Sequence, residues 1–246
     1  MDIDAYLDRI GAGRSSSLAE LHRAHQETVP FENLSIHLGE TISLHPEDLF
    51  DKVVRRRRGG FCYELNGAMA IVLEELGYGV ARVGVRVYGG ERFGPIFDHL
   101  ALIVTDHDGE RWLFDVGFGS HSTYPLKVSD RGEQKDPGGV FTVAETAAGD
   151  LLVSRDGKPV HQIEVQAREL GDFEPACWWQ QTWPGSHFRN GTVCTRLDGD
   201  GRITISGRKL IRTSSGSRTE TTLDSDADLL AAYRDLFGVV LDKPVS

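Results

Sequence analysis

Cysteine is scarce in this chain. Cys62, Cys177 and Cys194 are an odd number with no close pair. That spacing excludes a disulfide framework and fits a reducing compartment, so a cytoplasmic location is expected. Long apolar runs are missing too. No window of about 18 apolar residues occurs, which excludes a membrane-spanning helix. The first residues, MDIDAYLDRI, are acidic and amphipathic, with neither a basic region nor an apolar core, so no signal peptide is expected. Positive charge is not in excess: a formal charge of −10 argues against nucleic acid as a bulk partner. HExxH, paired CxxC, Walker A and GxGxxG patterns are absent, so no metal is signalled. What is present, 39% apolar and 26% charged residues over 246 positions, is the composition of a soluble protein with a sizeable core.

The period of the pattern changes along the chain. Ser15–Ser17 precede LAELHRAHQETV, whose Leu18, Leu21 and Ala24 have helical spacing, so an N-cap and a helix are expected there. Pro30 ends it, and Phe31-Glu32-Asn33-Leu34 reads as a short connection. Pro46-Glu47-Asp48 opens a second helix that runs into a glycine turn. NGAMAIVLEELGYG is a strong helix that stops at Gly77. Six strand-length runs follow: VARVGVRVY, HLALIVT, RWLFDVGF, VFTVAE, LLVSRD and VHQIEVQA. Helices followed by an antiparallel sheet or barrel define an α+β protein. A mixed region from about 171 holds two more strands, TVCTRL and RITISG, and a last helix, DADLLAAYRDLFG. RGEQKDPGG, near 131–139, is expected to be a mobile loop.

The most informative stretch is Arg58-Gly59-Gly60-Phe61-Cys62. Two glycines deliver a thiol onto the first turn of a helix, where the dipole and free N–H groups favour a thiolate nucleophile. Such a cysteine needs a histidine base and an acid that orients it. His99 begins the apolar strand HLALIVT, and Asp115 lies in the next strand. A hairpin centred on His107 would set 99 directly opposite 115, with Cβ atoms about 4.5–5.5 Å apart. Asp98, next to His99, points to the other face of a strand and cannot easily orient it. Taken singly, these residues also read as a core thiol, a structural histidine and a solvated carboxylate; the residues alone leave both readings open.

The motifs resemble those of the arylamine N-acetyltransferases, in order and from end to end. They are MDIDAYLDRIG at the N-terminus, VPFENLSIHLG at 29–39, RRRRGGFCYELN at 55–66, HLALIV at 99–104, FDVGFG at 114–119 and QTWPGSHF at 181–188. The resemblance implies a cysteine-protease-like core: a helical bundle over 1–80 carrying the nucleophile, an antiparallel β-barrel over 81–170 carrying His and Asp, and an α/β lid over 171–246. It implies acetyl-CoA as co-substrate, with Cys62 as acyl acceptor, His99 as base and Asp115 as orienting acid. Phe31 and Phe118 match aromatics of the amine pocket, Gly119, Ser120 and Ser186 match coenzyme A contacts, and Glu32 with Arg58 matches a charged pair bracing the cysteine loop. The chain is some tens of residues shorter than typical members, a difference expected between barrel and lid. Tyr63 and Glu64 are expected to modify the pocket.

The implied activity is a two-step acetyl transfer from acetyl-CoA to an aromatic amine or hydrazine through acetyl-Cys62. Two alternatives keep the same three residues: an amide synthase of the family that closes a macrolactam from a carrier-bound polyketide, and a cysteine hydrolase. A monomer or homodimer is expected. Other signals have plainer readings. Arg55–Arg58 is a solvated helix face with Arg58 turned inward, and His22 and His25 are surface histidines rather than metal ligands. Trp178, Trp179 and Trp183 pack in the core or lid rather than stacking on a ligand. Cys177 and Cys194 are structural thiols.

Overall fold

The computed structural model describes residues 2–214 and 216–245; Met1 of the N-terminal motif, Ser215 and Ser246 lie outside the described residues. The chain opens with helix α1, Ile3–Ile10, capped by the Asp2 carboxylate and ended by Gly11 in the left-handed conformation. Helix α2, Leu18–Thr28, starts with a full capping box: Ser17 receives the Glu20 N–H and Glu20 receives the Ser17 N–H. Residues 31–34 are more than a connection. Phe31–Glu32 is a short strand, β1, that pairs with a strand from the far end of the chain. Helices α3, Leu34–Leu38, and α4, Pro46–Phe50, follow. One π-helical turn, Asp51–Arg55, then leads to the glycines. Helix α5, Cys62–Glu75, is buried on every face from Cys62 to Leu73. Its apolar residues therefore show no stripe, as expected of a central helix.

The next strands are β2, Gly79–Val87; β3, His99–Thr105; β4, Arg111–Phe114; β5, Leu126–Lys127; β6, Gln134–Asp136; β7, Gly139–Glu145; β8, Leu151–Arg155; and β9, Lys158–Arg168. They form one antiparallel sheet in the order β5-β4-β3-β2-β9-β8-β7-β6, curled into a nearly closed barrel in which β5 approaches β7. Strand β3 explains its own unbroken apolar run. Leu100, Leu102 and Val104 pack on the helices around α5, while Ala101 and Ile103 fill the barrel. A strand covered on both faces needs no polar alternation. Helix α6, Glu174–Thr182, precedes β10, Val193–Asp198; β11, Gly201–Ser206; β12, Lys209–Ser214; and β13, Ser217–Thr222. With β1 these form a second sheet, backed by α7, Asp226–Phe237. The protein is thus α+β: a helical layer, an antiparallel barrel and a second sheet with its helix.

Four expectations are corrected. The β3–β4 hairpin pairs Leu102 with Phe114 and Thr105 with Arg111, so it is centred on Asp108, not His107. The Asp106 carboxylate sets that turn by accepting the N–H groups of Asp108 and Glu110 and the Trp112 Nε1–H. Residues 131–139 are not a mobile loop. Asp136 accepts the N–H groups of Thr123, Tyr124 and Gly138, and β6 pairs with β7. His22 and His25 are completely buried rather than on the surface. Trp178, Trp179 and Trp183 stand out from the core instead of packing in it; Trp178 is 65% exposed, and Trp179 stacks on Trp183.

Candidate active site

Steric fit explains the two glycines before Cys62. A Cβ on Gly59 would stand 1.8 Å from the Pro30 carbonyl oxygen, and one on Gly60 would stand 2.6 Å from Glu64 Oε2. Close approach lets Gly60 bridge to Phe31, with the Glu32 N–H donating to the Gly60 carbonyl at 2.8 Å. Below this loop Arg58 is buried and donates to Glu32 at 2.9 Å and to Ser35 Oγ at 3.3 Å. The other Glu32 oxygen accepts the Leu34 N–H at 2.7 Å. A second buried pair, Lys52–Glu64 at 2.5 Å, lies under the helix start, and Glu64 Oε2 accepts the Phe61 N–H. Two ion pairs thereby hold the segment that presents Cys62 at the head of α5. Nothing precedes Cys62 to cap the helix by a side chain, so the first N–H groups of α5 remain available beside the sulfur.

His99 and Asp115 meet although they are not directly opposed. Asp115 lies one residue beyond the end of β4 rather than in the strand; continued by one residue, the β3–β4 register would set it opposite Ala101 and diagonal to His99, within reach of long side chains. His99 Nε2 and Asp115 Oδ2 are 2.7 Å apart, both residues at most 3% exposed. The other carboxylate oxygen accepts Asn66 Nδ2–H at 2.8 Å and the Gly117 N–H at 3.0 Å. Asn66 projects from α5 one turn beyond Cys62, so a single helix positions both the sulfur and the carboxylate. Burial pulls the His99 ring towards neutrality. The Asp115 carboxylate and the adjacent Cys62 sulfur, with hydrogen bonds to both, outweigh burial and raise the ring to about 10. Burial would likewise favour neutral Asp115, but the His99 charge and hydrogen bond hold its carboxyl far below the usual range.

His22 supports this pair from behind. The Asp115 N–H points at His22 Nε2, 3.2 Å away, so that nitrogen must be the acceptor and Nδ1 carries the proton towards the Thr123 carbonyl at 2.9 Å. Burial lowers the pKa of His22 against the pull of its partners, in keeping with a neutral ring.

The comparisons with known proteins bear on this arrangement. A family model described as N-acetyltransferase matches residues 16–245. The arylamine N-acetyltransferase of Mycolicibacterium smegmatis is 36% identical over 256 residues, covering 98% of this chain and 93% of its own. This chain belongs to the arylamine N-acetyltransferase family. The Escherichia coli (strain K12) member is 30% identical over 92% of this chain and 83% of its own. The structure of the Mycobacterium marinum member in complex with CoA superposes with a TM-score of 0.88 at 31% identity, over 97% of this chain and 93% of that one.

In this acetyltransferase Cys62 and His99 line one cavity of about 420 Å³ with Phe31, Phe118, Phe188, Val87, Val193, Asp98 and His187 among its walls. Phe118 meets the His99 ring edge-on at 5.2 Å. Phe31 packs on Gly119, where a Cβ would come within 2.9 Å of its ring. Gly119 and Ser120 line an adjoining cleft with Thr195, Thr204, Thr213, Arg202 and Arg218, and Phe31, Phe118 and Val193 are shared between the two. Ser186 is placed elsewhere. It is buried, donates to Gln180 Oε1 at 2.8 Å and caps the short turn at Phe188.

Sequence reasoning missed Asn66 and His22, and also His161 and His121. The rings of His99, His161 and His121 form a stack, with neighbouring centroids 5.4 and 4.8 Å apart. Burial, then repulsion from its two neighbours, holds His161 well below the usual imidazole range. Burial brings His121 down to about 4. The positive charge of the stack is therefore confined to His99. Asn66 had a signal, its spacing of four residues from Cys62 on one helix. The histidines had none, since their neighbours come from β9 and from loops that only the fold assembles.

Proposed function

We propose that Cys62, His99 and Asp115 carry out acetyl transfer from acetyl-CoA to the nitrogen of an aromatic amine or hydrazine. The observation that carries the reading is the His99–Asp115 contact of 2.7 Å in a cavity that also presents Cys62 at a helix N-terminus. The Cys62 sulfur, its proton held on His99, attacks the thioester carbonyl. The resulting oxyanion is stabilised by backbone N–H groups at the start of α5. The carbon–sulfur bond to coenzyme A breaks, and the coenzyme thiolate takes a proton from His99. The amine nitrogen then attacks acetyl-Cys62 and yields its proton to His99, and the Cys62 sulfur departs. Asp115 keeps the ring oriented and stabilises its charge throughout.

The adjoining cleft with Arg202 and Arg218 suits the polyanionic end of coenzyme A, with Gly119 and Ser120 at its wall. Phe31 and Phe118 form the aromatic walls for the amine. Three free cysteines are in keeping with a reducing compartment, the cytoplasm in this reading; no helix among the described residues is long and apolar enough to cross a membrane. The test is steady-state kinetics with acetyl-CoA and an aniline. Parallel double-reciprocal lines, and no turnover in Cys62→Ala, are expected. Intersecting lines from a ternary complex, or retained turnover in Cys62→Ala, would overturn the covalent scheme.

A further inference from the structure

We propose that Asp98 selects the acetyl acceptor, favouring an aromatic amine that carries a cationic or hydrogen-bond-donating substituent over one that carries a carboxylate. The inference rests on the reading above, because it concerns the acceptor half of that reaction.

The walls of the cavity are mainly apolar, with the rings of Phe31, Phe118 and Phe188 and the side chains of Val87 and Val193. Among the described residues that line it, Asp98 is the one carboxylate, and neither lysine nor arginine occurs. Asp98 is not engaged in orienting His99, since Asp115 does that. Its position is built rather than incidental. Gln180 Nε2 donates to Asp98 Oδ1 at 3.0 Å, and Gln180 is itself fixed by the Ser186 hydroxyl at 2.8 Å. This gives the buried Ser186 a role: it anchors the chain of hydrogen bonds that ends on the cavity carboxylate.

The backbone supports the same placement. Phe97 holds a left-handed φ of +61, unusual for a bulky residue. The Tyr63 hydroxyl pins it by donating to the Phe97 carbonyl at 2.7 Å, and its ring occupies the space over Gly84 where a Cβ would stand 2.6 Å away. Strain of this kind, overdetermined by its neighbours, clusters at functional positions. Here it immediately precedes Asp98 and His99, which both line the cavity instead of pointing to opposite faces. His187, also at the wall, does not cancel the charge. Burial lowers its pKa although Asp98 draws it upward. Burial also raises Asp98, against the pull of His187, the neighbouring His99, the Gln180 hydrogen bond and a Val87 backbone hydrogen bond, so a donor on the acceptor would relieve a carboxylate whose burial outweighs its present partners. The cations sit on the other side of Phe31 and Phe118, in the cleft of Arg202 and Arg218. Charge thus sorts a polyanionic donor from a donor-bearing acceptor.

The test compares 4-aminobenzamidine, 4-aminobenzamide and 4-aminobenzoate as acceptors at pH 8, with saturating acetyl-CoA, in wild type and Asp98→Asn. Dividing wild-type ratios of kcat/KM by those of the variant cancels the intrinsic nucleophilicity of each aniline. Asparagine keeps an oxygen for Gln180, so a purely structural loss lowers all three acceptors together. The benzamidine-to-benzoate ratio is expected to fall about tenfold or more in Asp98→Asn, the size of a unit-charge contact near a protein surface. A ratio unchanged within about twofold, on that same scale, would overturn the proposal. Asp98→Ser, which also keeps an acceptor oxygen, repeats the measurement should the asparagine variant fail to fold. Acetylation of Cys62 by acetyl-CoA alone involves no acceptor. Its loss in wild type would overturn the enzymatic reading itself, whereas normal acetylation with no change of ratio overturns only the role of Asp98.

Discussion

In Asp115→Asn the buried partner of His99 keeps its shape and loses its charge. Asn66 Nδ2–H and the Gly117 N–H both donate to Oδ1, so the new amide must keep its oxygen there and turn its NH2 towards His99 Nε2. Nε2 must then offer a lone pair, which moves the ring proton to Nδ1, on the side of the sulfur. A ring in that tautomer cannot take the thiol proton. Breaking a buried pair by removing one partner costs about 3–5 kcal/mol. At about 1.4 kcal/mol per pKa unit, this lowers His99 by roughly 2–4 units. The ring therefore falls from about 10 into the range of roughly 6–8.

Wrong-tautomer variants of such triads lose on the order of 10⁴ in rate, and a loss of that order is expected in the acetylation step. Rapid-quench mass spectrometry of the acetyl-protein between about pH 6 and 9 reads it across the shifted titration. Stability should follow with a definite sign. The raised His99 contributes fully below its unfolded value of 6.5 and loses that contribution as pH rises through about 10. The depressed Asp115 contributes above its unfolded value of 3.8 and loses that contribution only in stronger acid. Wild type should therefore be stabilised by the pair across neutral pH, and the variant should not. Acetylation within about tenfold of wild type at pH 7, far short of the loss expected, with an unshifted profile, would refute the reasoning.

Three further substitutions probe the support. Gly117→Ala would place a Cβ 2.7 Å from Asn66 Nδ2 and 2.8 Å from Cys62 Cα; overpacking of about 1–3 kcal/mol in thermal unfolding and slowed acetylation are expected, and a fully active, equally stable variant contradicts this. Arg58→Met leaves Glu32 buried without its cation, so urea unfolding should show a loss of about 3–5 kcal/mol; a loss below about 1 kcal/mol, as for a surface pair, would mean that the pair braces nothing. His22→Phe keeps a ring against Phe114 but removes the acceptor for the Asp115 N–H. It should cost about 1–3 kcal/mol for that unsatisfied donor, read by chemical denaturation, and an unchanged midpoint would show that the N–H finds another partner.

The parts of this molecule that were legible from sequence are those set by local chemistry. The N-cap among Ser15–Ser17, the stop at Gly77 and the six main barrel strands all follow from neighbours a few residues apart. The meeting of His99 and Asp115 was anticipated through the wrong register. Shifting the centre of the turn from His107 to Asp108 changes the partner of each residue by two, which preserves the face. That parity is why the contact survives as a diagonal one. Burial of polar residues was not legible. Nothing in LAELHRAHQET tells that His22 faces the Asp115 backbone, because the donor lies 93 residues away. The β12–β13 hairpin escaped for the opposite reason: β13 is exposed throughout, so it shows no apolar alternation. The tryptophans of α6 look like core residues by composition, yet α6 buries only Cys177 and Gln180.

The covalent step is the central claim, and intact-mass measurement after mixing the protein with acetyl-CoA alone tests it most directly. One acetyl group should appear, map to the peptide carrying Cys62 and disappear when an aromatic amine is added. No adduct, or an adduct on Cys177 or Cys194, would contradict the account.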